Sequence, residues 1–177
     1  MHDGAGPALE ESVTVPSAAR MRELGERLAG LLRPGDLIVL SGRLGAGKTT
    51  LTQGIGAGLG VRGPVTSPTF VIARVHPSLR GGPDLVHADA YRLGSRAEVD
   101  DLDLDTDVDS SVTVVEWGEN LAEGLAPSFL EIAIAPAEQA AGEAGAEDEP
   151  RTVRVTGWGD RWARAAQATR GALSGTA

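Results

Sequence analysis

At 177 residues the chain has the size of one domain, with room for a sizeable core. Acidic residues outnumber basic ones, and the net charge of −9 excludes a basic footprint for wrapping nucleic acid, so any work on nucleic acid has to go through a partner. There is no cysteine for a disulfide or thiolate site, no apolar run near the ~20 residues of a membrane span, and no signal-peptide pattern in the polar start Met1–Pro7, so a cytoplasmic protein is expected.

In chain order, residues 1–11 are expected to be a flexible tail, and residues 12–173 one domain. Ser12–Val15 alternates as a short strand. Ser17 is placed to cap a helix running to about Leu32, with Met21, Leu24, Leu28 and Leu31 on one face, and Pro34-Gly35 ends it. Asp36–Ser41 is a short apolar run rich in branched residues, the pattern of a buried strand. Leu51, Ile55 and Leu59 then recur at helical spacing over Lys48–Leu59. Gly54, Gly56 and Gly58 interrupt that helix, each at a cost of roughly 1 kcal/mol against Ala.

Between this strand and helix stands Gly42-Arg43-Leu44-Gly45-Ala46-Gly47-Lys48-Thr49, which matches the phosphate-binding P-loop G-x-x-x-x-G-K-[ST]. Lys48 is the single lysine of the chain; every other cationic side chain is arginine. A compact ammonium can reach between two phosphates where a wide guanidinium fork cannot. The glycines let successive backbone N–H groups turn toward an anion, and the helix N-terminus faces the same point. Thr49 offers a hydroxyl to Mg²⁺. Gly42, Leu44, Gly45, Ala46, Gly47, Lys48, Thr49 and Thr50 are therefore the expected nucleotide-binding residues.

Gly60–Pro68 is a loop. Thr69–Val75 and Leu85–Asp89 are expected strands joined around Gly81-Gly82-Pro83. Ser95 has capping-box spacing to Glu98 and opens a short acidic helix. Ser111–Trp117 is another buried strand, and Ser128–Ala135 and Arg151–Thr156 are late strands. Residues 137–150, rich in Ala, Glu and Gly, are expected to form a disordered hairpin loop within the domain. Asp160–Leu173 is expected to be a terminal helix, on which Trp158 and Trp162 pack to one side. The fold class is α/β, with a mostly parallel central sheet, antiparallel additions and helices on both faces.

Two acids end apolar strands, Asp89 and Glu116. In an open α/β sheet ligands bind beyond the carboxyl ends of the strands, so both carboxylates are expected to meet Mg²⁺ near Thr49. The aspartates between Asp100 and Asp109 lack the central Gly and terminal Glu of a calcium loop and are expected to be a solvated face. His76 and His87 have no metal-site spacing. Trp117, directly after Glu116, either packs in the core or borders the nucleotide.

Four pieces in order, Gly42–Thr49, Thr66–Phe70, His87–Leu93 and Val114–Glu119, resemble the TsaE (YjeE) family of small bacterial P-loop ATPases. The resemblance covers about residues 12 to 135. It implies an ATP-hydrolysing role in making N6-threonylcarbamoyladenosine on tRNA, acting on a transferase pair of TsaD-like and TsaB-like proteins, with tRNA met only through them. It also implies that Lys48 and Thr49 contact phosphate and Mg²⁺. Asp89 and Glu116 then serve metal and water, and Ser67–Phe70, with Thr69, is a nucleotide-sensing loop. ATP and Mg²⁺ are the implied cofactors. The rival readings are a small-molecule kinase, for which no Arg-rich lid is visible, and a nucleotide-sensing binding module with little hydrolysis. A GTPase would want N-K-x-D, which a chain with Lys48 as its only lysine cannot supply.

Overall fold

The computed structural model describes residues 6–43, 47–66, 73–89, 109–116, 126–137 and 150–175. Seven strands form one sheet: β1 (Leu9–Val15), β2 (Leu37–Ser41), β3 (Ala73–His76), β4 (Asp84–Asp89), β5 (Ser111–Glu116), β6 (Phe129–Pro136) and β7 (Arg151–Trp158). Four helices accompany them: α1 (Ala18–Ala29), α2 (Lys48–Leu59), α3 (Asp160–Arg164) and α4 (Ala166–Ser174). The sheet order is β1-β7-β6-β2-β5-β4-β3. The four strands β6, β2, β5 and β4 are parallel to one another. The flanking pairs β1–β7, β6–β7 and β3–β4 are antiparallel. This is the expected mixed α/β sheet, parallel at its centre.

The strands alternate as a two-faced sheet must. Ile38, Leu40, Leu85, Val112, Val114, Leu130 and Ile132 enter the core that also holds Met21, Leu24, Leu28, Leu51 and Ile55 from α1 and α2. Leu37, Val39, Val86 and Val115 alternate to the second face and are also buried. The described helices contribute to the first face; the expectation of helices on the second lies outside the described residues. No helix among the described residues is long and apolar enough to cross a membrane.

Several boundaries differ from the sequence reading. The strand expected from residue 12 begins at Leu9, so residues 9–11 are sheet rather than tail. They pair with β7 from Leu9 opposite Gly157 to Val15 opposite Arg151. The Leu9 side chain is buried beside Trp162, which gives the segment a reason to order. The first helix ends at Ala29, with Ser17 accepting a hydrogen bond from the Arg20 N–H at 3.2 Å as the expected cap. The expected terminal helix is two helices, broken at Ala165. Trp158 is not on it: it closes β7 and stacks on Phe129 with ring centroids 6.3 Å apart, while Trp162 is buried in the helix-side core. Their four-residue spacing comes from a strand end followed by a helix start, not from a single helical face. The late strands pair as an antiparallel hairpin, closed by Ala137 N–H donating to the Pro150 carbonyl. Of the loop expected at 137–150, residues 138–149 lie outside the described residues, as does the acidic helix from Ser95.

Two glycines of α2, Gly54 and Gly58, and Gly25 of α1 have a packing reason where the two helices meet. A Cβ on Gly54 would collide with the Arg22 carbonyl of α1, one on Gly58 would meet the Ala29 side chain and lie 2.9 Å from the Glu26 carbonyl, and one on Gly25 would lie 2.7 Å from the Ile55 nitrogen. The two helices thus touch backbone to backbone, and this contact fixes α2, whose N-terminus is the P-loop. Gly54→Ala gains roughly 1 kcal/mol of helix propensity but meets a carbonyl oxygen that cannot rotate away. Overpacking of this kind costs ~1–3 kcal/mol, so the net effect is destabilising. Gly171 in α4 has nothing within 4 Å of its missing Cβ. Urea titration should therefore show a lower midpoint for Gly54→Ala and a higher one for Gly171→Ala; a gain for both would remove the close contact from the account.

A second lock ties the C-terminal helices to β2. Arg161 donates from Nε to Asp36 Oδ1 at 3.0 Å, and from its Nη2 to Asp36 Oδ2 at 3.0 Å and to the Leu31 carbonyl at 2.6 Å. This bidentate geometry holds an almost buried carboxylate at the entrance to the strand that leads into the P-loop.

His76, at the end of β3, is buried, and its Nε2 has no hydrogen-bond partner among the described residues. Burial, helped by His87 and Arg74 nearby, holds its imidazole below the ordinary range, against the opposing effect of its hydrogen bond with the Arg62 backbone. The unfolded chain takes up this proton near pH 6.5, the folded one only at lower pH. Stability should therefore fall as the pH drops through about 6.5, because the unfolded state binds more protons there. Urea titrations at a pH of about 7.5 and about 5.5 should show this loss, and His76→Gln should shrink it; an unchanged slope in the variant would assign the proton elsewhere.

Candidate functional site

The P-loop begins where β2 ends. Gly42 and Gly47 sit at φ 144° and 110°, backbone that residues with a Cβ rarely adopt, so both glycines of the motif's frame are required by geometry. Gly47 starts α2: its carbonyl accepts the Leu51 N–H at 2.9 Å. Lys48, at the first position of α2, folds back over the loop. Its Nζ donates to the Gly42 carbonyl at 2.5 Å and the Arg43 carbonyl at 3.2 Å. The ammonium is thus held at the start of the motif, next to the end of β2. Thr49 and Thr50, half-buried, complete the first turn.

Two strands away from the flank, the acids come together. The parallel register places Asp89 of β4 opposite Glu116 of β5, and Glu116 opposite Leu40 of β2. Both acids therefore stand at strand carboxyl ends, on the sheet face that carries α2, one and two strands from the start of the P-loop. Burial lowers the Lys48 pKa from the ordinary lysine value, and the negative charges of Glu116 and then Asp89 oppose that shift. The cation and the two acids thus feel one another, as a phosphate and metal site requires.

Glu116 is buried, and its Oε1 has no hydrogen-bond partner among the described residues. A buried carboxylate oxygen with no partner is costly, so a donor, a water or a cation has to stand beside this carboxylate. Hard oxygen donors from Thr49, Asp89 and Glu116, with phosphate oxygens and water, are the kind of set that Mg²⁺ takes. The residues present therefore fit the implied metal.

His87 was missed as part of this site. It is fully buried, and its Nε2 lies 3.3 Å from Glu116 Oε1. The alternation of β4 already puts His87 on the side of Asp89, which is the signal that sequence reading could have used. Leu44, Gly45, Ala46, Thr69 and Trp117, with the rest of the Ser67–Phe70 segment, lie outside the described residues.

Comparison with known proteins gives one consistent result. The family model for threonylcarbamoyl adenosine biosynthesis protein TsaE matches residues 15–144. A Streptomyces coelicolor protein called tRNA threonylcarbamoyladenosine biosynthesis protein TsaE is 63% identical over 146 residues, covering 82% of this chain and 95% of its own. Proteins of the same name from Mycobacterium bovis and Bacillus subtilis are 49% and 36% identical, over 68% and 80% of this chain and 76% and 82% of theirs. The crystal structure of Bacillus subtilis YdiB superposes with a TM-score of 0.65 at 26% identity, covering 93% of this chain and 94% of that one.

Proposed function

The chain belongs to the TsaE family of threonylcarbamoyl adenosine biosynthesis proteins, and on that premise we propose that it is the ATP-binding and ATP-hydrolysing component of that tRNA modification. The observation that carries the reading is the pairing of Asp89 with Glu116 at the carboxyl ends of β4 and β5, beside β2, whose end leads into the glycine loop and Lys48. Lys48 neutralises the terminal phosphates, and the amides of the P-loop and of the first turn of α2 cradle them. Thr49, Asp89 and Glu116 hold Mg²⁺, which when bound offsets the charge of the phosphate oxygens. Glu116 also orients the attacking water, and Leu44, Gly45, Ala46, Thr50, Thr69 and Trp117 line the nucleotide. The ATPase domain extends to Leu173, with β1 as its first element.

The chain works in the cytoplasm on a complex of a TsaD-like transferase with a TsaB-like protein, supporting its repeated turnover. Its net charge of −9 supports an indirect contact with tRNA, made through those partners. Phosphate release tests the reading: it should be slow with the chain alone and rise when the pair is added. Release that stays at background with the pair present, while ATP is bound, would leave a nucleotide-sensing module. ADP formation that needs a small-molecule acceptor, with the phosphoryl group recovered on that acceptor and not as free phosphate, would favour a kinase.

A further inference from the structure

We propose that His87 is a positioning residue for Glu116: its Nε2–H holds Oε1 and so presents the second carboxylate oxygen, Oε2, to the water and metal side of the site. The inference rests on the role proposed for Glu116 and adds to it the group that fixes its rotamer.

Three observations carry it. First, His87 is 0% exposed in β4 and Glu116 only 4% exposed in β5, both on the sheet face that bears α2, so neither can turn to solvent for a partner. Second, His87 Nε2 stands 3.3 Å from Glu116 Oε1. Third, neither of these two atoms has a hydrogen-bond partner among the described residues. Two buried polar atoms without partners, one a potential donor and the other an acceptor, each lose the several contacts that water would give. A small rotation of either side chain satisfies both at once. Apolar neighbours such as Leu85 and Val114 on the same strands offer no competing donor. The strand geometry leaves little freedom for any other arrangement: His87 is paired with Val114, two residues before Glu116, so the contact is the diagonal one on a parallel pair. Outer partners of this kind matter because a carboxylate that rotates freely spends little time in the orientation that its ligand or water needs.

Two variants and one spectroscopic measurement test the proposal on the full chain. His87→Leu fills the volume without a donor; His87→Gln keeps an amide N–H at about the reach of Nε2. With the partner pair present, His87→Leu should lower kcat for ATP by roughly tenfold or more. Its KM and its ATP affinity should stay within about twofold, and His87→Gln should recover most of the loss. Thermal midpoints identify any variant that fails to fold, and the second variant then carries the comparison. Equal loss in both folded variants, or a loss confined to KM, would overturn the positioning role. The spectroscopic arm does not depend on activity. Long-range ¹H–¹⁵N correlation should find the proton of His87 on Nε2, with a ¹⁵N shift that moves on Glu116→Gln. A bare Nε2, or a resonance indifferent to that substitution, would overturn the contact. If Glu116→Gln leaves turnover intact while the His87 resonance responds, the role of Glu116 fails and the contact stands.

Discussion

Lys48→Ala should abolish ATP turnover and weaken nucleotide binding while the fold survives. The reasoning runs from position to charge. Lys48 stands at the first turn of α2, buried, with its ammonium hydrogen-bonded to the Gly42 and Arg43 carbonyls. No other lysine exists in the chain to replace it. Loss of one charged donor aimed at a developing anion costs ~10²–10³-fold in rate, and at this position ground-state binding suffers too. Stability should change little, because the α1–α2 backbone contact and the Leu51 and Ile55 packing that hold α2 do not involve the ammonium. Removing a cation that offsets Asp89 and Glu116 is opposed by removing the cost of burying it. Phosphate release, nucleotide titration and a thermal midpoint check the three parts. An acyl-phosphate ATP probe should label Lys48 in the unmodified chain, and ATP should protect it; labelling that ATP does not suppress would contradict a phosphate-facing lysine.

The acids should separate binding from turnover. Asp89→Asn and Glu116→Gln keep shape and remove one charge each. ATP affinity should fall by no more than about tenfold, since the P-loop amides and Lys48 remain, while hydrolysis falls by ~10²-fold or more. Glu116→Gln should have the larger effect, because Glu116 sits between the P-loop strand and Asp89 in the register. An amide also satisfies neither a cation nor the unpartnered oxygen position in the same way. A Mg²⁺ and ATP-analogue complex offers an independent check. A carboxylate more than about 8 Å from the metal is too far even for a bridging water, given Mg²⁺–oxygen distances of ~2.1 Å, and would leave the site.

The parts of this structure that were legible in the sequence are those where local chemistry and long-range geometry agree. The P-loop is a contiguous motif between an apolar run and a helical repeat, so its position, its glycines and Lys48 followed from spacing alone. Asp89 and Glu116 were legible because each ends an apolar strand, and parallel strands bring their carboxyl ends to one edge. What escaped depends on partners distant in sequence. Gly54 and Gly58 of α2 read as a weakness of the helix, since only the contact with Arg22, Glu26 and Ala29 of α1 explains them. The strand at Leu9 has no strong local pattern and is ordered by β7 and Trp162, far along the chain. Arg161 reaching Asp36 across the chain, and His87 meeting Glu116 across two strands, are pairings that no local window contains. Trp158 and Trp162 show the converse error, a helical spacing produced by a strand end followed by a helix start.

In the proposed function, ATP turnover at Lys48, Asp89 and Glu116 keeps the tRNA-modifying pair cycling. Threonylcarbamoyladenosine formed on tRNA by a limiting amount of the TsaD–TsaB-like pair measures this directly, with this chain absent, present, or present as Lys48→Ala. The account predicts about one modified tRNA per pair without the chain or with the variant, and many per pair with the unmodified chain and ATP, a steady state set by reset of the complex. Many turnovers without the chain, or equal support from Lys48→Ala, would contradict it.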